Sequence, residues 1–148
     1  MEHYIKLCLS EHDLSLAKKF YDLVKEKYDV GFIMVADENF GSNRKYSRQV
    51  AELFNKHGML WNAIGIRCTS VDKDDLTHLK NNGCLSVKFG LESGSQTMLD
   101  IMEKKFTVDD IKKALFDCHD IGLYSPPIGF MLGMPGESLK TAKESGKL

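Results

Sequence analysis

Apolar and polar positions alternate strictly over Leu85-Ser86-Val87-Lys88-Phe89-Gly90-Leu91-Glu92, and a period of two over such a length predicts a β-strand. Leu85, Val87, Phe89 and Leu91 fall on one face; Ser86, Lys88, Gly90 and Glu92 fall on the other. Ser93-Gly94-Ser95 then turns the chain, with Ser95 placed to cap a helix from Gln96 to Met102. Upstream, apolar residues at helical spacing predict a helix over Asp13 to Tyr28, with Ser10 or Asp13 as cap, and another over Arg44 to His57, stopped by Gly58. Val30 to Ala36 is a short unbroken apolar run, as expected of a strand covered on both faces. Trp61 to Thr69 reads as a further strand, with Ile64, Ile66 and Cys68 on one face and Ala63, Gly65 and Arg67 on the other. A short helix opens at Ser70-Val71-Asp72 and ends at Gly83. The spacing of Thr107 and Asp110 resembles a capping box for a helix that ends at Gly122. Ile128 to Leu132 reads as a last strand, followed by a helix after Ser138.

Helices and strands therefore alternate, which implies parallel strands joined by right-handed crossovers. The expected fold is α/β: a partial parallel (β/α) barrel of about four strands. A complete eight-stranded barrel takes roughly 250 residues, whereas this chain has 148. Residues 1–148 are accordingly read as a single, incomplete barrel domain.

Net charge is −1, which leaves no electrostatic footprint for nucleic acid. No apolar run approaches the length of a membrane span, and Met1 to Lys6 lacks a basic segment leading into an apolar one. No nucleic-acid or membrane partner is expected, and the location expected is cytoplasmic. Self-association through exposed sheet edges is expected of a bare half-barrel. Cys8, Cys68, Cys84 and Cys118 are widely and unevenly spaced, so no local zinc or iron–sulfur motif can be read, and free buried thiols are expected.

The candidate chemistry lies where the strands end. Asp37 and Glu38 follow the first strand and Arg67 sits near the end of the second. Gly90, Glu92 and Ser93 end the third, and Gly129, Gly133 and Glu137 mark the last. In parallel α/β sheets ligands bind at this carboxyl edge. The polar face of the third strand points away from the covering helices, toward an open, ligand-bearing interior. Glycines there let backbone approach a ligand. A plainer reading also stands: glycines serving tight turns, and Arg67 pairing with Glu92 or Asp37.

Three phrases together resemble the radical S-adenosylmethionine superfamily. They are Phe89-Gly90-Leu91-Glu92-Ser93-Gly94-Ser95, then Leu99-x-x-Met102-x-Lys104, then Gly129-Phe130-Met131-Leu132-Gly133-Met134-Pro135-Gly136-Glu137-Ser138. Ile33 to Phe40 is similar to that superfamily's second barrel strand. The resemblance is strongest to the branch often joined to a cobalamin-binding domain and to methylthiotransferase relatives, and it runs from about Tyr28 to Ser138. It implies S-adenosylmethionine as cofactor. Asp37 and Glu38 would stand at its amino group, though without the family's Gly-Gly-Glu wording. Glu92 with Ser93 would stand at the ribose hydroxyls, and Arg67 at the methionine carboxylate. Gly129, Gly133 and Glu137 would lie in the motif against the adenine.

The superfamily holds a [4Fe–4S] cluster through a CxxxCxxC loop, and this sequence has none. Cys8 alone cannot supply three thiolates. The expectation is a central fragment, with the cluster, and cobalamin where present, belonging to a full-length parent enzyme. The alternative is a non-catalytic β/α half-barrel that acts as a binding or assembly module. A third reading has Asp37 and Glu92 as an acid pair moving protons.

Overall fold

A computed structural model describes residues 14–37, 39–126 and 129–148. Cys8, Glu38, the cap candidates Ser10 and Asp13, and the start of the expected last strand at Ile128 lie outside the described residues. The elements run α1 (Leu14–Tyr28), β1 (Phe32–Ala36), α2 (Arg44–Lys56), β2 (Leu60–Ile66), α3 (Lys73–Asn81), β3 (Cys84–Phe89), α4 (Gln96–Ile101), α5 (Val108–Asp120) and α6 (Leu139–Ser145). The strands form a parallel sheet in the order β1-β2-β3. This is the α/β partial barrel expected, with three hydrogen-bonded strands among the described residues. The fourth strand position is represented by two isolated parallel bridges, Ser86 to Tyr124 and Glu92 to Phe130.

Helix ends follow local chemistry. Asn43 caps α2 by accepting from the Tyr46 amide, and Thr107 with Asp110 forms the expected capping box of α5. Asp72 and Asp75 form a second box at α3. The Asp75 carboxylate, 4% exposed, also accepts from Arg48 Nε at 2.8 Å and lies 3.2 Å from Arg44 Nη1, which ties α2 to α3.

One face of the sheet is covered. Trp61, Ala63, Ile66, Val87 and Leu91 are buried, with Phe54 and Val50 of α2, Leu76 and Leu79 of α3, and Ile111 of α5. Trp61 meets Phe54 and Phe40 edge-on, with ring centroids 5.3 and 5.7 Å apart, and its Nε1 donates to Asn82 O at 2.8 Å. A fully buried indole of this kind finds a partner for its one polar atom.

The opposite face is less covered than the sequence pattern suggests. Among the described residues β1 lies at the edge of the sheet and is not covered on both faces: Phe32 is 48% and Met34 51% exposed, while Ile33 and Val35 are half-buried. An unbroken apolar run fits either situation, and only the absence of a layer over Phe32 and Met34 separates them.

Two register slips also change which side chains share a face. Trp61 pairs with Cys84 but Asn62 pairs with Ser86, so Leu85 is the extra residue and lies 49% exposed, away from Val87 and Phe89. Ile64 pairs with Lys88 but Ile66 pairs with Phe89, so Gly65 is extra, at φ +82°. Ala63, Ile66 and Cys68 are therefore buried, while Ile64 and Arg67 are half-buried on the other phase of the strand. The expected grouping of Ile64 with Ile66, and of Ala63 with Arg67, is corrected by this bulge. The polar row Ser86-Lys88 does share the open face, beside an apolar row of Met34 and Ile64.

A side chain at residue 65 would be forced into a left-handed conformation. Gly65→Ala is expected to cost about 1–2 kcal/mol, read as a lower urea midpoint with an unchanged slope. The Asp72 carboxyl is held below its ordinary 3.8, first by the Asp75 amide and then by Arg44. Its folded value being depressed, its stabilisation is present above that ordinary value and is lost as pH falls through the lowered one. Asp72→Ala should cost about 1 kcal/mol at neutral pH. Asp72→Asn should keep the cap and flatten the acid-side loss of thermal stability.

Candidate active site at the carboxyl edge of the sheet

The sheet order places the candidate residues in a row. Asp37 follows β1, Arg67 follows β2, Glu92 follows β3, and Glu92 is bridged to Phe130. Asp37 and Glu92 are thus separated by a whole strand, two spacings or about 10 Å.

Glu92 is the centre of the site. Its backbone is left-handed, at φ +63°, and the Ser93 amide donates back to Leu91 O at 2.7 Å. Those two facts define a γ-turn of the rarer, strained form. Glu92 O accepts from the Met131 amide at 2.8 Å, which joins the end of β3 to the segment that carries Gly129 and Gly133. Its carboxylate, 26% exposed, meets Lys104 Nζ at 3.1 Å. Lys104 is held by its own backbone: its amide donates to Leu99 O, its carbonyl accepts from Arg67 Nη2, and its neighbours Glu103 and Lys105 have φ +53° and +56°. Among the described residues, non-glycine positive φ occurs at Asp29 and at these three positions around the carboxylate. Clustering of that kind marks strained functional sites.

Arg67 does not pair with Glu92 or Asp37. Its guanidinium donates to Lys104 O and lies 5.5 Å from the Phe106 ring centroid. Asp37 is exposed and accepts from the Asn39 amide at 3.2 Å; Asn39 Oδ1 accepts from Ser70 Oγ, which links the loops after β1 and β2. Ser93 has a different neighbourhood from the one its place beside Glu92 suggests. It is 3% exposed, and its hydroxyl faces Ser145 of α6. Ser95 stands at the N-cap of α4 but makes no capping bond; its hydroxyl donates to Glu144.

Gly133 N donates to Glu137 Oε2 at 2.6 Å, so that carboxylate braces its own loop. A Cβ built on Gly129 or Gly133 meets nothing within 4 Å, so the backbone there borders open space. Lys104, Asn39, Glu144 and Ser145 are the participants to which sequence reasoning gave no role. For Lys104 a signal existed: it closes the phrase Leu99-x-x-Met102-x-Lys104, twelve positions beyond Glu92.

The described residues do not fit an iron–sulfur cluster. No three His, Cys, Asp or Glu among them come together as metal ligands. Cys68, Cys84 and Cys118 are buried, and burial pushes their thiols up to about 11, 12 and 12, far from the thiolate a cluster needs. The edge itself fits a nucleoside-bearing ligand: a half-exposed carboxylate to accept from hydroxyls, a lysine beside it, and glycine backbone bordering open space.

Comparison with known proteins places the chain in a family. Residues 11–148 match the family model of the Radical SAM superfamily. The chain is 29% identical over 131 residues to the anaerobic magnesium-protoporphyrin IX monomethyl ester cyclase of Rubrivivax gelatinosus, covering 86% of this chain and 23% of that protein. The enzyme of that name from Cereibacter sphaeroides is 27% identical over 140 residues, covering 88% and 22%. The fold is similar to that of OxsB, a cobalamin-dependent S-adenosylmethionine radical enzyme solved with aqua-cobalamin bound. There the TM-score is 0.75 at 19% identity, covering 88% of this chain and 21% of that one. This chain spans less than a quarter of the length of each. With the match running over nearly its whole length, the chain belongs to the radical SAM superfamily.

Proposed function

We propose that this chain is the central part of a radical SAM barrel and contributes the strand ends that bind S-adenosylmethionine. The observation that carries this reading is the Glu92 turn, where a half-exposed carboxylate is presented at the edge beside Lys104 and bridged to the Gly129–Gly133 segment. Glu92 accepts from the two ribose hydroxyls. Lys104, which is 30% exposed in its side chain, supplies positive charge for the methionine carboxylate, with Arg67 holding the Lys104 carbonyl from below. Gly129 and Gly133 leave room for the adenine against backbone. Asp37 lies at the far end of the row, at the amino group. In a protein that also holds a [4Fe–4S] cluster, the bound cofactor supplies the radical that begins substrate chemistry. The match to only 23% and 22% of the two cyclases, and the lack of a CxxxCxxC loop in this sequence, support a cluster held by other parts of a longer parent. The likeness to a cobalamin-dependent enzyme supports a parent that carries cobalamin as well.

Titration calorimetry with S-adenosylmethionine tests the assignment. Micromolar binding is expected, with no cleavage of the cofactor by this chain alone. Glu92→Ala removes a charged acceptor and should weaken binding 10- to 100-fold, the range of a charge-assisted hydrogen bond of about 1.5–3 kcal/mol. Lys104→Met should weaken it about tenfold. Unchanged affinity in Glu92→Ala would overturn the ribose assignment.

A second reading, a binding or assembly module that self-associates, is favoured by one observation. Among the described residues β1 is the edge strand of the sheet, and Phe32 and Met34 are exposed next to Leu60. Unpaired edges with apolar side chains pair with other chains. Sedimentation should then show association that Met34→Lys reduces. A monomer at all concentrations tested would exclude this second reading and leave the first in place.

A further inference from the structure

Glu92 keeps a conformation that costs about 1–2 kcal/mol in a non-glycine residue. Such a conformation persists only where its surroundings over-determine it. One restraint is the Met131 amide on Glu92 O. The other comes from the residues that follow, and those are gripped by α6.

Ser93, Ser95, Thr141 and Ser145 are 3%, 1%, 5% and 7% exposed. Ser93 Oγ and Ser145 Oγ are 3.0 Å apart, the Gly94 amide donates to Ser145 Oγ at 3.0 Å, and the Ser95 amide donates to Ser93 Oγ at 3.1 Å. Ser145 Oγ donates onward to Thr141 O at 3.3 Å, and Ser95 Oγ donates to Glu144. This accounts for the full valence of the Ser145 hydroxyl: its proton goes to Thr141 O and its lone pairs receive Ser93 and Gly94. Gly94 is fitted to the same contact. A Cβ there would lie 2.8 Å from Ser145 Cα and 3.2 Å from Ser145 O, both backbone atoms that cannot give way.

The attachment of α6 is polar. Its buried residues are Thr141 and Ser145, while Leu139 is 73% exposed. Seven residues do not make a stable helix alone, and this one gains little from apolar burial. Beside the contact of the following Leu148 with the core, its hydrogen bonds to the molecule run to the turn that follows Glu92.

We propose that α6 is the positioning element of the Glu92 edge, with Ser145 as positioning residue: its hydroxyl anchors residues 93–94 and so holds the strained Glu92 turn in the shape that presents the carboxylate. The consequence for function rests on the reading of Glu92 as the ribose contact. The geometric claim does not, so the two can fail separately.

Amide exchange by NMR on the 148-residue chain, with S-adenosylmethionine titration in parallel, tests it. In Ser145→Ala the amides of Gly94, Ser93 and Met131 should exchange about tenfold faster or more, since each reports a bond of the anchor or of the turn. The Val87 amide, bonded to Tyr124 O on the sheet, should be unchanged. Affinity should fall about tenfold, and Ser145→Thr, which restores a hydroxyl, should recover both. Faster exchange at Gly94 with Ser93 and Met131 unaffected would overturn the proposal, because the grip would end before Glu92. Retained affinity despite a loosened turn would overturn its functional half. Absence of binding by the unaltered chain would refute the ribose reading while exchange still decided the anchor. Should Ser145→Ala fail to fold, Ser145→Cys, which keeps the size but hydrogen-bonds weakly, must give the same exchange pattern or the proposal falls.

Discussion

The left-handed backbone at Glu92 is the constraint from which the rest of the site follows. With an extended backbone there, the chain would continue along the direction of β3. Turned at φ +63°, it sends three groups in three directions. The carbonyl reaches the Met131 amide, the carboxylate reaches Lys104, and the next residue folds under α6. One strained residue thereby couples the end of β3 to the glycine-bearing segment, to the loop after α4, and to the last helix. Strain of about 1–2 kcal/mol is small beside the several hydrogen bonds that depend on it, each worth about 0.5–1.5 kcal/mol net.

The scaffold and the edge are stabilised by different physics. On the covered face Trp61, Phe54, Leu76, Val87 and Ile111 are almost wholly removed from water, and burial of each such side chain contributes about 1.5–3 kcal/mol. At the edge the charged groups are a quarter to a third exposed. An ion pair of that exposure contributes about 0–1 kcal/mol. The Lys104–Glu92 pair is therefore weak enough for hydroxyls of a ligand to compete for the carboxylate without unfolding anything. Breaking a deeply buried pair would instead cost about 3–5 kcal/mol.

The sequence made the helices legible because their ends are local events. The Thr107–Asp110 box, the cap-bearing Asp72, and the stops at Gly58, Gly83 and Gly122 all act within one turn of chain. Strands were legible in position but less so in face. An alternation of period two assumes no bulge, and the extra residues Leu85 and Gly65 break that assumption on both sides of the β2–β3 pair. Burial on the second face of β1 was not legible at all, because Val30 to Ala36 carries the same apolar run whether or not another layer lies over it. In the site, Glu92, Arg67 and Asp37 stood out as polar residues where apolar strands end. Lys104 and Ser145 did not. Ser145 is one serine in a polar helix until the fold brings it against Ser93, 52 positions away.

The same logic separates the two recognitions that a radical SAM enzyme needs. Hydrogen bonding to a nucleoside asks for carboxylate, ammonium and bare backbone along one open edge, and residues 67–137 can present all three from parallel strand ends and the loops beyond them. Binding iron and sulfide asks for several thiolates converging on one point. Here Cys68, Cys84 and Cys118 are packed into a core whose low polarity keeps each thiol protonated far above neutral pH. Exposing them to reach a cluster would cost the packing that holds Trp61 and Ile111 in place. The described cysteines therefore serve the core, and on the proposed reading the edge supplies the contacts to the organic cofactor.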